Sequence, residues 1–479
     1  MQSKEGSRQG DGPSGLFFCA GMMPMLREAK RLFPECRFYA YMDDVTIVGP
    51  EGETKRAYEF CCAKLAAIGL QVNNTKSEVY PPWRQPMTDG PSPKENGIKV
   101  LGAYISFSDD ATKEFLMTRV EKHETFFDRI TELAGEHPRE ALALLKVCGV
   151  PKINHLMRTH SPTLTKEMCD KFDALVNDCL HTIRGEPWSD PDRDLADLPQ
   201  RMGGLGVAKT LDQREDAYSA SISALGWSDS PTQRTATTLR YTTKVDEHAL
   251  NPHVSATLCS NSRKFAACWL TAFRTTMSAA ATRTAMKLRV ASTAWTPGTC
   301  GCGKALDGRD FVTHVLGCAQ NTGFNVSSRH NQLRDTLAQI ARRCAIPVTI
   351  EPREFISADG RHPDLTLFWP DGTTTTIDVH INNATAPSHI GEHDPTRKSK
   401  KAKILKYTDQ VTAAEQLFRT AGWEVSGACS KEALSLLKEL AAMNVMSLHE
   451  IAEALCVCIH AANHRIIAAA YARDRAMDI

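Results

Sequence analysis

Over the first hundred residues the spacing of apolar positions changes period several times. Residues 16–33 and 54–68 carry them at three- and four-residue intervals, which predicts two helices; the second has Ala57, Phe60, Cys61, Leu65 and Ile68 on one face and Gly69 as its stop. Between the helices, two aromatic and β-branched runs, Phe38-Tyr39-Ala40-Tyr41 and Val45-Thr46-Ile47-Val48, enclose Asp43-Asp44. That pattern predicts a β-hairpin with two carboxylates at its tip. Short strands are expected at 70–73, 76–80 and 99–105, with a proline-rich loop over 81–93.

From residue 111 the period becomes helical for almost two hundred residues, with helices expected at 113–133, 139–147, 163–183, 211–225 and 264–290. The polar, Ser/Thr-rich stretch 228–243 is the best candidate for an internal linker. A helix over 329–343 and a strand over 347–350 follow, and two β-rich runs surround Asp371-Gly372, a hairpin signal. The remainder is expected to be helical at 412–421 and 431–472, with a short strand at 423–425.

Composition adds little to this picture. Lys and Arg number 57 against 56 Asp and Glu, so any basic surface must be local. Sixteen cysteines without a recognisable signal peptide suggest a reducing compartment, where thiols stay free or bind metal. The most apolar region, 451–472, contains Glu453, His460, Asn463, His464 and Arg465 and is expected to be a packed helix, not a membrane span.

Three clusters carry chemistry. Adjacent carboxylates such as Asp43 and Asp44 repel, and a divalent cation is the usual compensation; an acidic surface turn is the plainer alternative. Cys300-Gly301-Cys302, His314 and Cys318 supply three thiols and an imidazole, a complete tetrahedral zinc shell, and a closed shell indicates a structural site. His314 and Cys318 lie one helical turn apart. Asp364, at the entry of one expected strand, and Asp378, in the next, can converge on one cation, with Glu351 as a further carboxylate. Six of the ten residues 397–406 are basic, including Lys398, Lys400 and Lys401, a run suited to phosphate contact.

Arg8-Gln9-Gly10-Asp11, Tyr41-Met42-Asp43-Asp44, Gly69-Leu70-Gln71-Val72-Asn73 with Lys76, and Leu101-Gly102 come in the order of the later palm motifs of a reverse transcriptase, and the chain resembles that family. The resemblance implies that Gln9 and Gly10 border the incoming nucleotide and template. It makes Asp43 a metal ligand with Asp44 beside it, puts Lys76 near the triphosphate, and has the strand at Leu101-Gly102 grip the primer end. The family carries another metal-binding Asp upstream of the glycine-rich loop. This sequence starts at the loop, so it resembles a truncated polymerase, expected not to extend primers by itself.

The cysteine pattern resembles the Cys-Cys-His-Cys knuckle that precedes the endonuclease in one group of retrotransposons lacking long terminal repeats. The tail resembles their restriction-like nuclease. His380 occupies the position of that fold's usual lysine, and the resemblance brings a lysine instead from a downstream helix, Lys403 or Lys406. The implied architecture is α/β and multidomain: a partial palm (1–109), a helical thumb and extension (110–295), a zinc knuckle (296–325) and a restriction-like endonuclease with C-terminal helices (326–479). Implied cofactors are Mg²⁺ or Mn²⁺ and Zn²⁺; implied partners are an RNA template, target DNA and deoxynucleotides, with no membrane. The implied activity is target-primed reverse transcription, in the nucleus or otherwise the cytoplasm. The rival expectation is a degenerate or domesticated copy that binds nucleic acid without catalysis.

Overall fold

In the computed structural model, residues 12–226, 231–271, 273–321, 323–357, 360–392 and 394–477 are described, the last four by their backbone. Gln9 and Gly10 lie outside them. The chain forms two compact units, Met1–Arg119 and Val120–Ile479.

In the first unit, helices Ser14–Leu32 and Glu51–Ala67 pack on a hairpin of strands Arg37–Tyr41 and Asp44–Val48. Met22, Met25 and Ala29 of the first helix meet Cys61 and Leu65 of the second, with Phe38, Val45 and Ile47 from the hairpin. Residues 70–73 are irregular, not a strand. The Asn73 carbonyl accepts from the backbone N–H groups of Lys76 and Ser77 at 3.1 and 3.0 Å, and its side chain caps the same turn. Asn-based turn chemistry outweighs the β-propensity of Val72. Of 76–80 only Glu78–Val79 pairs, with Ser92–Pro93.

The expected strand 99–105 is a second hairpin, Ile98–Val100 with Ala103–Ile105. Leu101-Gly102 is its two-residue turn. Leu101 and Gly102 have φ of 48° and 88°, both left-handed, the backbone that a tight hairpin turn requires.

The division between the units, at Arg119, falls inside helix Asp109–Glu121, and more helices follow. The expected helix 113–133 divides into Asp109–Glu121 and Glu124–Ala134 at Lys122-His123. The linker candidate 228–243 is mostly helix, Gln233–His248, capped by Thr232; its first three residues lie outside the described ones. The expected helix 264–290 is two pieces, Cys268–Thr271 and Ala279–Arg289, the second capped by Ser278. The three cations of the second piece are held by the fold. Arg289 donates to the carbonyls of Gly204, Ala266 and Gln200, Arg283 to those of Ile183 and Gly135, and Lys287 pairs with Glu186. These residues cross-link the helices.

The unit also holds a four-stranded mixed sheet in the order Leu417–Glu424, Thr374–Asn382, Leu365–Phe368, Val348–Ile350. The expected helix over 412–421 is corrected. Helix Arg397–Ala413 stops, Glu415 adopts φ 59°, and Leu417–Glu424 runs parallel to Thr374–Asn382. Gln416 accepts a hydrogen bond from Thr376 at 2.7 Å, which anchors the strand entry.

The last helix, Leu448–Met477, is long and apolar enough to cross a membrane by length and composition alone, yet it is mostly buried. Its Glu453 pairs with Arg139 at 3.1 Å with both side chains buried, and Arg139 also donates to the carbonyls of Trp269 and Thr275. Breaking such a pair leaves a buried charge without its partner. Arg139→Met is therefore expected to cost about 3–5 kcal/mol of this unit's stability in denaturant melts, and Arg139→Met with Glu453→Met is expected to recover most of it.

Candidate active site

The sheet register creates the acidic pair. Leu365 pairs with Ile377 across the antiparallel ladder, and the Asp364 N–H donates to the Ile377 carbonyl at 3.0 Å. The next rung sets Asp364 opposite Asp378, and opposed residues share a face of the sheet. The two carboxyls stand within hydrogen-bonding reach of each other, and both are buried.

Asp364 is held at both oxygens. Oδ1 meets His330 Nε2 at 2.7 Å, and Oδ2 accepts from the Val379 N–H at 2.6 Å. Asp378 is held at one: Oδ1 accepts from Lys403 Nζ at 2.6 Å, while Oδ2 is buried with no hydrogen-bond partner. Burial and then the charge of Asp364 push Asp378 up to about 7, against the pull of Lys403. Burial, the largest cause, pushes Asp364 upward too, but His330, the contact with Asp378 and the Val379 N–H together bring the net direction down. The pair therefore retains one proton near neutrality.

That proton has two consequences. Folded Asp378 keeps it at pH values where an unfolded Asp has lost it, so without metal the fold loses stability as pH rises from about 4 to about 7. A cation must displace the same proton. Mg²⁺ or Mn²⁺ affinity, measured by titration at pH 6 and pH 8, is expected to be about tenfold weaker at the lower pH.

Lys403 comes from helix Arg397–Ala413, which anchors its inner face through buried Tyr407 and Val411. Of the two lysines expected here, Lys403 reaches the pair; the Lys406 ammonium lies 5.2 Å over the Tyr407 ring. His380 is buried, and burial followed by Lys403 pushes its imidazole down to about 4. The carboxylate of Glu351 is turned to Arg334. Lys398 pairs with Glu392 at 2.7 Å and Lys400 with Glu432, while Lys401 is exposed. His330, from helix Val326–Arg343, was not assigned from the sequence. No local motif marks it; only the fold brings it to Asp364.

The Cys/His cluster forms next to this sheet domain. Cys300 and Cys302 lie in the turn between Gly298–Thr299 and Ala305–Leu306, where Gly303 has φ +85°. A Cβ on Gly301 would lie 2.6 Å from the Gln320 carbonyl, so only glycine fits that approach. Helix Gly308–Val315 carries His314 in its last turn and ends before Cys318, which comes in through the following turn. The four ligand atoms lie within 4.8 Å of one another, with Cys302 Sγ 3.1 Å from His314 Nε2. A tetrahedral zinc shell, with Zn–S near 2.3 Å, needs ligand atoms about 3.8 Å apart. The donor set and its spacing fit zinc.

In the first unit, Asp43 sits in the hairpin turn and Asp44 pairs with Tyr41, both exposed. Lys76 is exposed on the Asn73 turn, and Gly102 is at the tip of the second hairpin.

Residues 1–105 match the reverse transcriptase (RNA-dependent DNA polymerase) family. The chain is 28% identical over 221 residues to the retrotransposable element SLACS 132 kDa protein of Trypanosoma brucei gambiense. That alignment covers 45% of this chain and 18% of the relative, so the chain matches less than a fifth of the relative's length. The N-terminal region is thus of reverse-transcriptase type, and the chain is allied to a retrotransposon protein.

Proposed function

We propose that this chain combines the palm of a retrotransposon reverse transcriptase with a zinc-stabilised, restriction-like DNA endonuclease, and that the two act in target-primed reverse transcription. The nuclease nicks target DNA, and the exposed 3′ end primes copying of an RNA template. The observation that carries the nuclease half is the facing pair Asp364 and Asp378, in which Asp378 takes Lys403 at one oxygen and keeps its other oxygen buried and unpartnered.

That orphaned oxygen fits a divalent cation, because burial without a partner is costly and a hard cation would relieve it. Bound Mg²⁺ would polarise the scissile phosphate and lower the pKa of a bound water. The protein's own groups do the rest. His330 and the Val379 N–H orient Asp364, and Lys403 supplies fixed positive charge where negative charge builds up on the phosphate.

On the polymerase side, Asp43 and Asp44 offer exposed hard oxygen donors for the metal of nucleotidyl transfer, with Lys76 toward the triphosphate and Gly102 toward the primer. A helical thumb and extension lie between palm and nuclease, and the site of action is the nucleus. The test is a supercoiled-plasmid assay with and without Mg²⁺. Metal-dependent nicks lost in Asp364→Asn and retained in Asp43→Asn are the expected results. Absence of any metal-dependent nick would end the nuclease reading.

A further inference from the structure

Away from the acidic pair, the second unit carries an open groove of about 680 Å³ between helix Asn154–Thr159, the turn Gln200–Met202, and helices Thr210–Ala224 and Gln233–His248. Its size is that of a ligand site, about 300–1,000 Å³. Arg158, Arg201 and Arg234 converge on it, all exposed, and among the described residues no acid lines it. That is a local departure in a chain with 57 basic and 56 acidic residues. The cations nearby are neutralised: Lys209 by Asp194, Arg240 by Asp216 and Lys244 by Asp197. Among the described residues none of the three groove arginines is in an ion pair. Arg158 instead donates a 2.9 Å hydrogen bond to the side-chain amide oxygen Oε1 of Gln233.

We propose that this groove binds the phosphodiester backbone of a nucleic acid strand. Guanidinium forks match phosphate oxygens in pairs, and a concave wall focuses their field. Among the described residues the one aromatic in the lining, Tyr241, is buried, with its hydroxyl turned to Asp197 and Gln213. Contacts of the arginines to phosphate position a strand and carry no sequence information themselves. The groove would hold a strand at a second point on the unit that carries the candidate nuclease site.

The inference stands on the groove's own chemistry, and its test does not use cleavage. Fluorescence anisotropy of the whole chain, without added Mg²⁺, is run with single-stranded RNA, single-stranded DNA and duplex DNA between about 50 and 200 mM salt. Arg158→Gln/Arg201→Gln/Arg234→Gln is expected to weaken binding at least tenfold and to flatten the salt slope by about 2 units for single strands, about 0.7 per lost phosphate contact. The corresponding triple Lys variant should keep the slope, which separates lost charge from damaged folding. Loss confined to RNA or to DNA identifies the strand that is held. Unchanged slope and affinity with all three probes would overturn the proposal, as would competition by inorganic phosphate alone with no oligonucleotide effect. Metal-dependent nicking is scored separately, so failure of the nuclease reading leaves this result interpretable.

Discussion

Asp364→Asn lowers metal-dependent nicking about 10³-fold or more, while DNA affinity without metal stays near that of the unsubstituted chain. The substitution removes one of the two charges that would hold the cation. It also turns an amide donor toward either the Val379 N–H or His330, groups that Asp364 now accepts from or pairs with. Asp378→Asn has the same outcome for a simpler reason: it neutralises the carboxylate whose second oxygen awaits a ligand. Lys403→Met loses about 10²–10³-fold through missing charge stabilisation. His330→Ala loses about 10–100-fold by letting Asp364 swing. Lys406→Met is the control, because its ammonium lies over Tyr407 and not at the pair. Nicking that survives Asp364→Asn, or is lost in Lys406→Met and kept in Lys403→Met, would remove this site as the catalytic centre.

Much of that site could be read from the sequence because antiparallel register is local. Asp364 and Asp378 are equidistant from Asp371, the centre of the connecting turn, so pairing about that turn brings them opposite each other. The same locality made the Tyr41-Met42-Asp43-Asp44 hairpin legible. Lys403 and Lys406 could not be separated, since the choice depends on which helix face docks through Tyr407 and Val411. His330 was invisible because its partner is 34 residues away and on another element. The misread strand at 417–424 has a related cause. It is a strand because a parallel neighbour, Thr374–Asn382, buries it, and that neighbour lies far back in the sequence. Arginine and lysine contacts within 264–290 were equally non-local. Periodicity gave charge and spacing but not the carbonyls of Gly204, Ala266 and Gln200 that absorb Arg289.

Purified protein is expected to contain about one zinc per chain, and Cys300→Ser with Cys302→Ser is expected to lose it together with the packing around it. Structural zinc in small modules contributes an apparent ~10–16 kcal/mol of binding free energy at neutral pH. The consequence here reaches past the cluster. Phe311, Val312 and Val315, on helix Gly308–Val315 that carries His314, pack with Cys300 against Ile466, Ile467 and Ala470 of the last helix. Val425, just beyond the sheet strand Leu417–Glu424, joins the same core. Releasing the thiolates frees helix Gly308–Val315 from one side of that core, so protection should fall from residue 298 to 318 and along the C-terminal half of the last helix. Hydrogen exchange or limited proteolysis reads this directly, with the first unit as internal reference. At free zinc of about 1,000 times the Kd, linkage stabilises the unit by about 4 kcal/mol, which chelation removes and added zinc restores. Metal analysis without zinc, or a double serine variant whose protection is unchanged across 298–318, would show that four side chains within 4.8 Å hold no ion.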